Sequence, residues 1–364
     1  MKIKEYTVEE LPDLLALEFY KDSDHIPIYP LRAISYFHNP SADKTDKVLW
    51  CLFEGEEMIA YRLVLPDTIK TATEKIKVCW LSCIWVNPKH RGKGLGKQLT
   101  NLALEEWDHK CLATNFAPAS FKMYSSMQLF YPLKIVEGIR LYFIFNAAEL
   151  LGKKNKLFAT IKPLIKIGDT ILNVLKPTTK EYEFQPNHLN AKIVLSMDEE
   201  MYNFICHFNQ KEFGARSKAS LDWILSHPWM KETQTKDDYA KRYHFSANAK
   251  KFEQRWHKIY IKEKLAAVMM TTIIDEKLKT PYLYLSKENV ELIAKYLENY
   301  CLKNNLHSLT IFYPDIVAYL NSNNTKSIYK KSTKKKIMAW NGIPKTLTNE
   351  QTSFQDGLGD GVFT

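Results

Sequence analysis

The sequence predicts an α/β protein that is built from two similar halves. The chain has 364 residues, of which 45% are hydrophobic and 25% are charged, and this composition is typical of globular domains. In the first half, short apolar strands alternate with stretches of helical periodicity, and the same order of elements returns in the second half. A chain of this length is long enough for two domains that each bury a core.

The first half contains the elements of a mixed sheet with flanking helices. Apolar spacing predicts a helix over residues 8–19, followed by a hairpin with strands at 48–53 and 58–65 that a turn at Gly55 joins. A third, strongly apolar strand covers residues 77–86. The remainder is predicted as helix 94–110, strand 112–116, helix 120–129 and strand 139–145.

The second half repeats this order and spacing, although its identity to the first half is low. Four blocks and one tyrosine have counterparts: 36–40 in 224–228, 48–65 in 256–274, 78–107 in 282–300, 112–118 in 307–314, and Tyr124 in Tyr319. The same order for all of them indicates an internal duplication.

A connector covers residues 147–180. Apolar residues recur at helical spacing over 157–175, where Pro163 and Gly168 interrupt them. Five lysines accompany the apolar residues: Lys153, Lys154, Lys156, Lys162 and Lys166. The pattern fits a helix that lies on a membrane surface, or a helix that packs as a bridge between two domains. We favour the bridge.

Charge and cysteine usage suggest where the protein works. The net charge is +10 and the isoelectric point is about 9.0, which suits anionic ligands but also fits a surface solvated by lysines. The six cysteines form no C-x-x-C pair, so we expect reduced thiols in a cytosol and no metal site. Residues 1–15 carry charges where a signal peptide needs an apolar core. We therefore expect a cytoplasmic protein with no membrane partner.

The strongest local signal is a glycine-rich turn between an apolar strand and an amphipathic helix. After Asn87-Pro88 the chain reads His90-Arg91-Gly92-Lys93-Gly94-Leu95-Gly96. Such a turn points backbone N–H groups at the positive end of a helix dipole, where pyrophosphates bind. Lys89, Arg91, Lys93 and Lys97 add positive charge. The spacing is neither that of a P-loop nor that of a dinucleotide fingerprint.

This turn resembles the acyl-CoA signature [RQ]-x-x-G-x-[GA] of the GNAT (GCN5-related N-acetyltransferase) family. The matching residues are Arg91 to Gly96, and the resemblance covers about residues 1–146. It implies two tandem GNAT-like domains, each a mixed, mostly antiparallel twisted sheet flanked by helices. The second is degenerate, because Ser286-Lys287-Glu288-Asn289 stands where its glycine loop would be.

The resemblance also implies domain boundaries. An N-terminal GNAT domain with the acyl-CoA loop would cover residues 1–146, and a helical connector would cover 147–180. A degenerate GNAT-like domain would cover 181–343, and a C-terminal tail would cover 344–364. We expect the degenerate domain to shape the acceptor pocket.

The function that the resemblance implies is acyl-CoA-dependent N-acyl transfer, with direct attack of an amine on acetyl-CoA. Tyr124 would protonate the departing thiolate, although Gln128-Leu129 stands where the family has Gly-Phe. The strand near 81–85 would splay and offer a backbone N–H to the thioester oxygen. The expected acetyl-CoA-binding residues are Ile84, Trp85, Val86, Arg91, Gly92, Lys93, Gly94, Leu95, Gly96 and Lys97.

The general base is harder to place, because residues 78–86 contain no carboxylate. Asp67 and His38 are candidates that fit structural roles better, and Cys83 fits a packed thiol. Tandem N-myristoyltransferases share this general fold and use a C-terminal carboxylate as base. By that resemblance, the carboxylate of Thr364 or the side chain of Asp360 would approach the site.

Two alternatives stay open. A Fem-type transferase, also a tandem repeat of this fold, would use aminoacyl-tRNA, and a CoA-binding protein without turnover would share the loop. Under the leading hypothesis the partner is a small-molecule or peptide amine, and nucleic acid is not expected. The sequence does not name the amine.

Overall fold

The computed structural model describes residues 1–70, 75–127, 129–148, 160–174, 189–349 and 351–363. The strands are β1 Lys2–Thr7, β2 Lys47–Glu54, β3 Glu57–Lys70, β4 Lys75–Val86, β5 Cys111–Ala113, β6 Phe130–Tyr142, β7 Leu189–Val194, β8 Lys231–Glu232, β9 Asn248–Ala249, β10 Phe252–Ile261, β11 Lys264–Ile274, β12 Lys277–Leu285, β13 Ser308–Ile311 and β14 Tyr329–Trp340.

The helices alternate with these strands along the chain. They are α1 Leu11–Leu14, α2 Glu18–Asp22, α3 Pro30–Phe37, α4 Leu95–Glu106, α5 Pro118–Ser125, α6 Lys162–Val174, α7 Glu199–Cys206, α8 Lys218–Ser226, α9 Asp238–Arg242, α10 Val290–Lys303 and α11 Pro314–Ser322. Short 3₁₀ helices include Pro88–His90 and Gly359–Val362. Within the described ranges, no helix is long and apolar enough to cross a bilayer.

The chain divides into two compact units. The first unit combines Met1–Val136, Leu195–Phe252 and Lys335–Thr364, and the second combines Glu137–Val194 and Glu253–Lys334. The boundaries expected from the sequence, 1–146, 147–180, 181–343 and 344–364, describe the repeat along the chain and stay a prediction. Much of the expected connector, at 149–159 and 175–180, lies outside the described residues, as do residues 181–188.

The sheet of the first unit runs in the order β1-β2-β3-β4-β5-β14. Its strand pairs are antiparallel except β4 with β5, which are parallel. Val48 to Phe53 of β2 are all buried, so both faces of this strand are covered. That explains its continuous apolar run.

The sheet of the second unit has the same plan, in the order β7-β10-β11-β12-β13-β6. Here β12 and β13 are the parallel pair, and Ile139 to Tyr142 of β6 complete the sheet beside β13. Helices α10 and α11 contribute Ile293, Leu297 and Ile316 to its apolar core.

Each unit therefore takes its last strand from the other half of the chain. β6 follows the elements of the first unit but supplies Glu137 onward to the second, and β14 supplies Lys335–Trp340 to the first unit. Two mixed, mostly antiparallel sheets of the same strand order confirm the predicted fold class.

The predicted helix over residues 8–19 is wrong, because two short helices replace it. Pro12 begins α1, and Leu17 adopts an extended conformation before α2 starts at Glu18. Leu11 and Leu14 are buried whereas Leu17 is 39% exposed, so the apolar spacing does not mark one continuous face.

Candidate active site

The glycine-rich turn places an uncapped helix end beside β4. Gly92 and Gly94 have φ angles of +83° and +78°, a left-handed conformation that strongly favours glycine. Gly94 is the N-cap residue of α4, and no described side chain caps this helix. The first N–H groups of α4 are therefore available to an anion.

Gly96 has a different role from Gly94. A Cβ on Gly94 would meet no atom within 4 Å, whereas a Cβ on Gly96 would lie 3.3 Å from Ile84 Cδ1 and 3.4 Å from Met123 Sδ. Gly96 thus allows α4 to pack closely against β4 and α5. Gly94 leaves open space on the side where a ligand would approach.

β4 separates from β5 next to the turn. Of the described residues of β4, only Cys79 and Trp80 pair with β5. On the other side, Arg62 pairs with Ile84 and Val64 pairs with Leu81, so Ser82 and Cys83 together face the single residue Leu63. This bulge redirects the backbone of β4 at the point where the two strands part.

A cavity of about 820 Å³ fills this gap in the first unit. Nine of the ten predicted acetyl-CoA-binding residues line this cavity: Ile84, Trp85, Val86, Arg91, Gly92, Gly94, Leu95, Gly96 and Lys97. Lys93 is not part of the lining, and its Nζ lies 3.4 Å from Nδ1 of His90. Tyr124 and Asp360 line the same cavity. The structure thus brings the loop, the predicted acid and one of the two predicted bases together.

Tyr124 is positioned by an arginine that the sequence analysis did not single out. Its side chain is 1% exposed and its Oη accepts a hydrogen bond of 3.0 Å from Nη1 of the fully buried Arg62. A guanidinium can only donate, so the hydroxyl proton of Tyr124 stays available for another acceptor. Nε and Nη2 of Arg62 have no hydrogen-bond partner among the described residues.

Asp360 reaches the cavity from the 3₁₀ helix Gly359–Val362. Its Oδ2 accepts a hydrogen bond of 2.6 Å from Ser82 Oγ, at the bulge of β4. Arg32 in turn donates to Ser82 Oγ, and it also donates to Cys83 Sγ at 3.0 Å. A buried arginine and a serine thus hold this carboxylate beside the strand where a thioester would lie.

The segment that carries Asp360 belongs to the first unit and packs against its other residues. Phe363 stacks on Trp229 with the ring centroids 4.0 Å apart and the planes 4° apart. A Cβ on Gly359 would lie 2.6 Å from the Trp80 ring, so only glycine allows this close approach. Thr364, whose carboxylate was the other predicted base, lies outside the described residues, as does Gln128.

The remaining base candidates have structural surroundings. Asp67 forms a buried ion pair with Arg216 at 2.7 Å and accepts a hydrogen bond of 2.8 Å from Trp80 Nε1. His38 stacks on His227 outside the cavity lining. Cys83 accepts a hydrogen bond from Arg32.

His244 also lines the cavity and was missed by the sequence analysis. Partial burial, followed by the influence of Arg91 and His25, lowers the pKa of its imidazole below the ordinary value. His244 is therefore mostly neutral at neutral pH. Among the described residues, no cluster of three or more His, Cys, Asp or Glu side chains has the arrangement of a metal site.

The site is a cavity between two parting strands, with a glycine-rich turn and an uncapped helix start at one end. Residues 8–120 match the model of the acetyltransferase (GNAT) family. This segment, about a third of the chain, is similar to that family, which confirms the resemblance stated from the sequence.

One solved structure of low identity shares the fold. A probable N-acyltransferase from Enterococcus faecalis V583, described as a conserved protein of unknown function, superimposes with a TM-score of 0.50 at 10% identity, covering 94% of this chain and 73% of that one. A GCN5-related N-acetyltransferase from Anabaena variabilis gives a TM-score of 0.49 at 11% identity, covering 93% and 72%. A tandem GNAT protein from the clavulanic acid biosynthesis pathway gives 0.46 at 12% identity, covering 94% and 99%. No curated protein matches the chain.

Proposed function

We propose that this protein is an acyl-CoA-dependent N-acyltransferase that transfers an acetyl group from acetyl-CoA to an amine by direct attack. The observation that carries the proposal is the single cavity that brings together the anion turn, the parted strand β4, Tyr124 and Asp360. Each of these features serves a different part of the same reaction.

The turn supplies the binding energy for the nucleotide end of acetyl-CoA. Open N–H groups at the start of α4 would donate to the pyrophosphate, and Arg91 and Lys97 would add charge-assisted contacts. The apolar side chains of Ile84 and Val86 line the gap between β4 and β5, where the pantetheine chain would extend.

The side chains around the gap would handle two protons. Asp360 would accept the proton that the attacking amine loses as its nitrogen bonds to the acyl carbon. A backbone N–H at the bulge of Ser82 and Cys83 would stabilise charge on the thioester oxygen. Tyr124 would donate its proton to the sulfur as the C–S bond breaks, and Arg62 would stabilise the resulting phenolate. The products are the amide and free CoA.

The proposed partner is a small-molecule or peptide amine, and the proposed compartment is the cytoplasm. Arg32, Asp360 and the neutral His244 give the cavity wall a polar surface next to the loop. A tRNA-dependent transferase and a CoA-binding protein without turnover remain the alternatives.

The first test is thermal unfolding with and without excess acetyl-CoA. At about 100 times Kd, bound ligand should stabilise the wild-type protein by about 2.7 kcal/mol, which raises Tm by several degrees. Gly94→Trp should abolish the shift. Gly55→Trp is the matched control, because Gly55 also has a positive φ of 61° and open space around its Cβ position, but lies outside the cavity lining.

Two further outcomes decide between the alternatives. Release of CoA thiol in the presence of a panel of amines would support the acyltransferase, and binding without release under any acceptor would favour the non-catalytic protein. A wild-type protein that ignores acetyl-CoA but binds tRNA in a salt-sensitive manner would favour the Fem-type transferase.

A further inference from the structure

Helix α6, Lys162–Val174, belongs to the second unit and turns its polar edge toward residues 145–148 of that unit. Asp169 is buried, and its two carboxylate oxygens accept hydrogen bonds from the backbone N–H groups of Ala147 and Ala148 at 3.0 and 2.9 Å. One turn later, Asn173 accepts a bond from the N–H of Phe145 and donates one to its carbonyl, both at 2.8 Å. These four hydrogen bonds fix the rotation of the helix about its axis.

The apolar side of α6 consequently faces outward. Leu164, Ile167, Ile171 and Val174 are 69%, 58%, 54% and 77% exposed. Their spacing of three, four and three residues places them on one stripe of the helix. A helix of a globular protein ordinarily buries its apolar stripe, so a stripe that stays exposed among the described residues calls for a partner.

The charge around the stripe is positive. Lys162 and Lys166 are exposed on α6, and the flanking sequence adds Lys154, Lys156 and Lys176. Between residues 150 and 180 the sequence holds one acidic residue, Asp169, and its carboxylate is occupied by backbone N–H groups. An apolar stripe accompanied by lysines complements an anionic lipid surface.

We propose that α6 is a membrane-surface helix that lies in the headgroup region of an anionic bilayer, with the stripe inserted and the lysines near lipid phosphates. A 13-residue helix is too short to span a bilayer. Pairing of two copies through the same stripe would bring two sets of lysines together, and like charges oppose such a contact. The exposure of the stripe therefore reverses the preference for a bridging helix that the sequence suggested.

Sedimentation with vesicles tests this proposal. The full chain should bind vesicles of phosphatidylcholine with 30 mol% phosphatidylserine (about this fraction suffices to give a negative surface potential) and should bind pure phosphatidylcholine vesicles much more weakly. Ile167→Asn and Ile171→Asn keep the charge and remove an inserted side chain, so each should lower the partition coefficient about tenfold or more. Ile135→Asn is the matched control, since Ile135 is also an exposed isoleucine but lies on β6 in the first unit.

The outcomes separate the possible occupants of the stripe. Unchanged melting temperatures would show that the variants are folded, because the replaced side chains are exposed. Failure of the wild-type protein to bind the anionic vesicles would overturn the proposal, and so would equal binding by Ile167→Asn. A concentration-dependent dimer that Ile167→Asn dissociates would assign the stripe to a second copy of the chain instead.

Discussion

Arg62 illustrates how one buried residue positions another. It stands in β3 between the mostly apolar runs 58–61 and 63–66, and it donates a hydrogen bond of 3.0 Å to Tyr124. A lone arginine in such a strand is a signal that the sequence contains, but its partner is 62 residues away. Only the fold reveals that the arginine orients the tyrosine that the resemblance named as the acid.

We expect Tyr124→Phe to lower kcat about 100-fold with acetyl-CoA and a good acceptor, because the variant keeps the ring but loses the proton donor. The Kd for acetyl-CoA should not change, since the loop is intact. Tyr131→Phe is the control, because Tyr131 donates to the carbonyl of Ile343 outside the cavity lining. Equal kcat values for Tyr124→Phe and the wild type would remove Tyr124 from the mechanism.

Asp360→Asn should also lower kcat about 100-fold, because an amide cannot accept the amine proton. Asn has nearly the same size and shape as Asp. The hydrogen bond from Ser82 Oγ should therefore be retained, and CoA binding should persist. The exposed Asp238 provides the control variant Asp238→Asn. Steady-state kinetics at several pH values would check the prediction, and a fully active Asp360→Asn would transfer the role of base to another group.

At the scale of elements, the sequence predicted strands better than helices. Strands β2, β3 and β4 contain long apolar runs that are buried, so hydrophobicity alone located them. A single helix over 8–19 does not form: Pro12 is tolerated only in the first turn of a helix, and the extended backbone of Leu17 separates α1 from α2. The glycine turn between β4 and α4 could be located from sequence, because the left-handed conformations of Gly92 and Gly94 are local properties of the chain. Its role in binding acyl-CoA stays a prediction.

The buried His257 of β10 leads to a prediction about how the free energy of unfolding changes at acid pH. His257 of β10 is fully buried, and its Nε2 lies 2.8 Å from Thr271 Oγ1 of β11. Burial, and to a lesser degree Arg255, lowers the pKa of His257 to about 4 from 6.5. Between these values the unfolded chain binds a proton that the folded protein does not, so folding becomes less favourable as the pH falls from about 6.5 to 4.

The loss from this group amounts to about 3 kcal/mol across that window. His257→Gln should remove it, so that the free energy of unfolding of the variant declines less between pH 7 and 4.5 than that of the wild type. Urea unfolding at these two pH values measures the difference. His207→Gln, at an exposed histidine, should keep the wild-type slope, and an identical slope for His257→Gln would contradict the assignment.

At the scale of the whole molecule, the exchange of last strands is what the sequence could not predict. The repeat is visible from the order and spacing of its blocks, but the pairing partner of β14 depends on contacts between residues more than 200 positions apart. For the same reason the sequence did not show that residues 195–252 and 335–363 pack with the first unit. The position of Asp360 beside Ser82 could not be predicted either, because the two residues are 278 positions apart in the sequence.

The exchange predicts that residues 1–146 do not fold alone, even though they contain the segment matched by the family model. Such a fragment lacks Lys335–Trp340, so β5 keeps an unpaired edge and the core loses the fully buried Trp340. Co-expression of 1–146 with 147–364 should restore a folded complex, because the missing strand comes from the second piece. Cooperative thermal unfolding of 1–146 by itself, measured by circular dichroism, would refute this dependence.

During synthesis on the ribosome, β5 is made well before β14, the strand that pairs with it. About 220 residues separate the end of β5 from Lys335, and at roughly 5–20 residues per second their translation takes about 10 to 45 seconds. Throughout that interval the nascent chain presents the edge of β5 and the glycine-rich turn without the strand that pairs with β5 and without Asp360. A prematurely terminated product would carry the turn and Tyr124 but not Asp360, so under the proposed mechanism it would lack the general base.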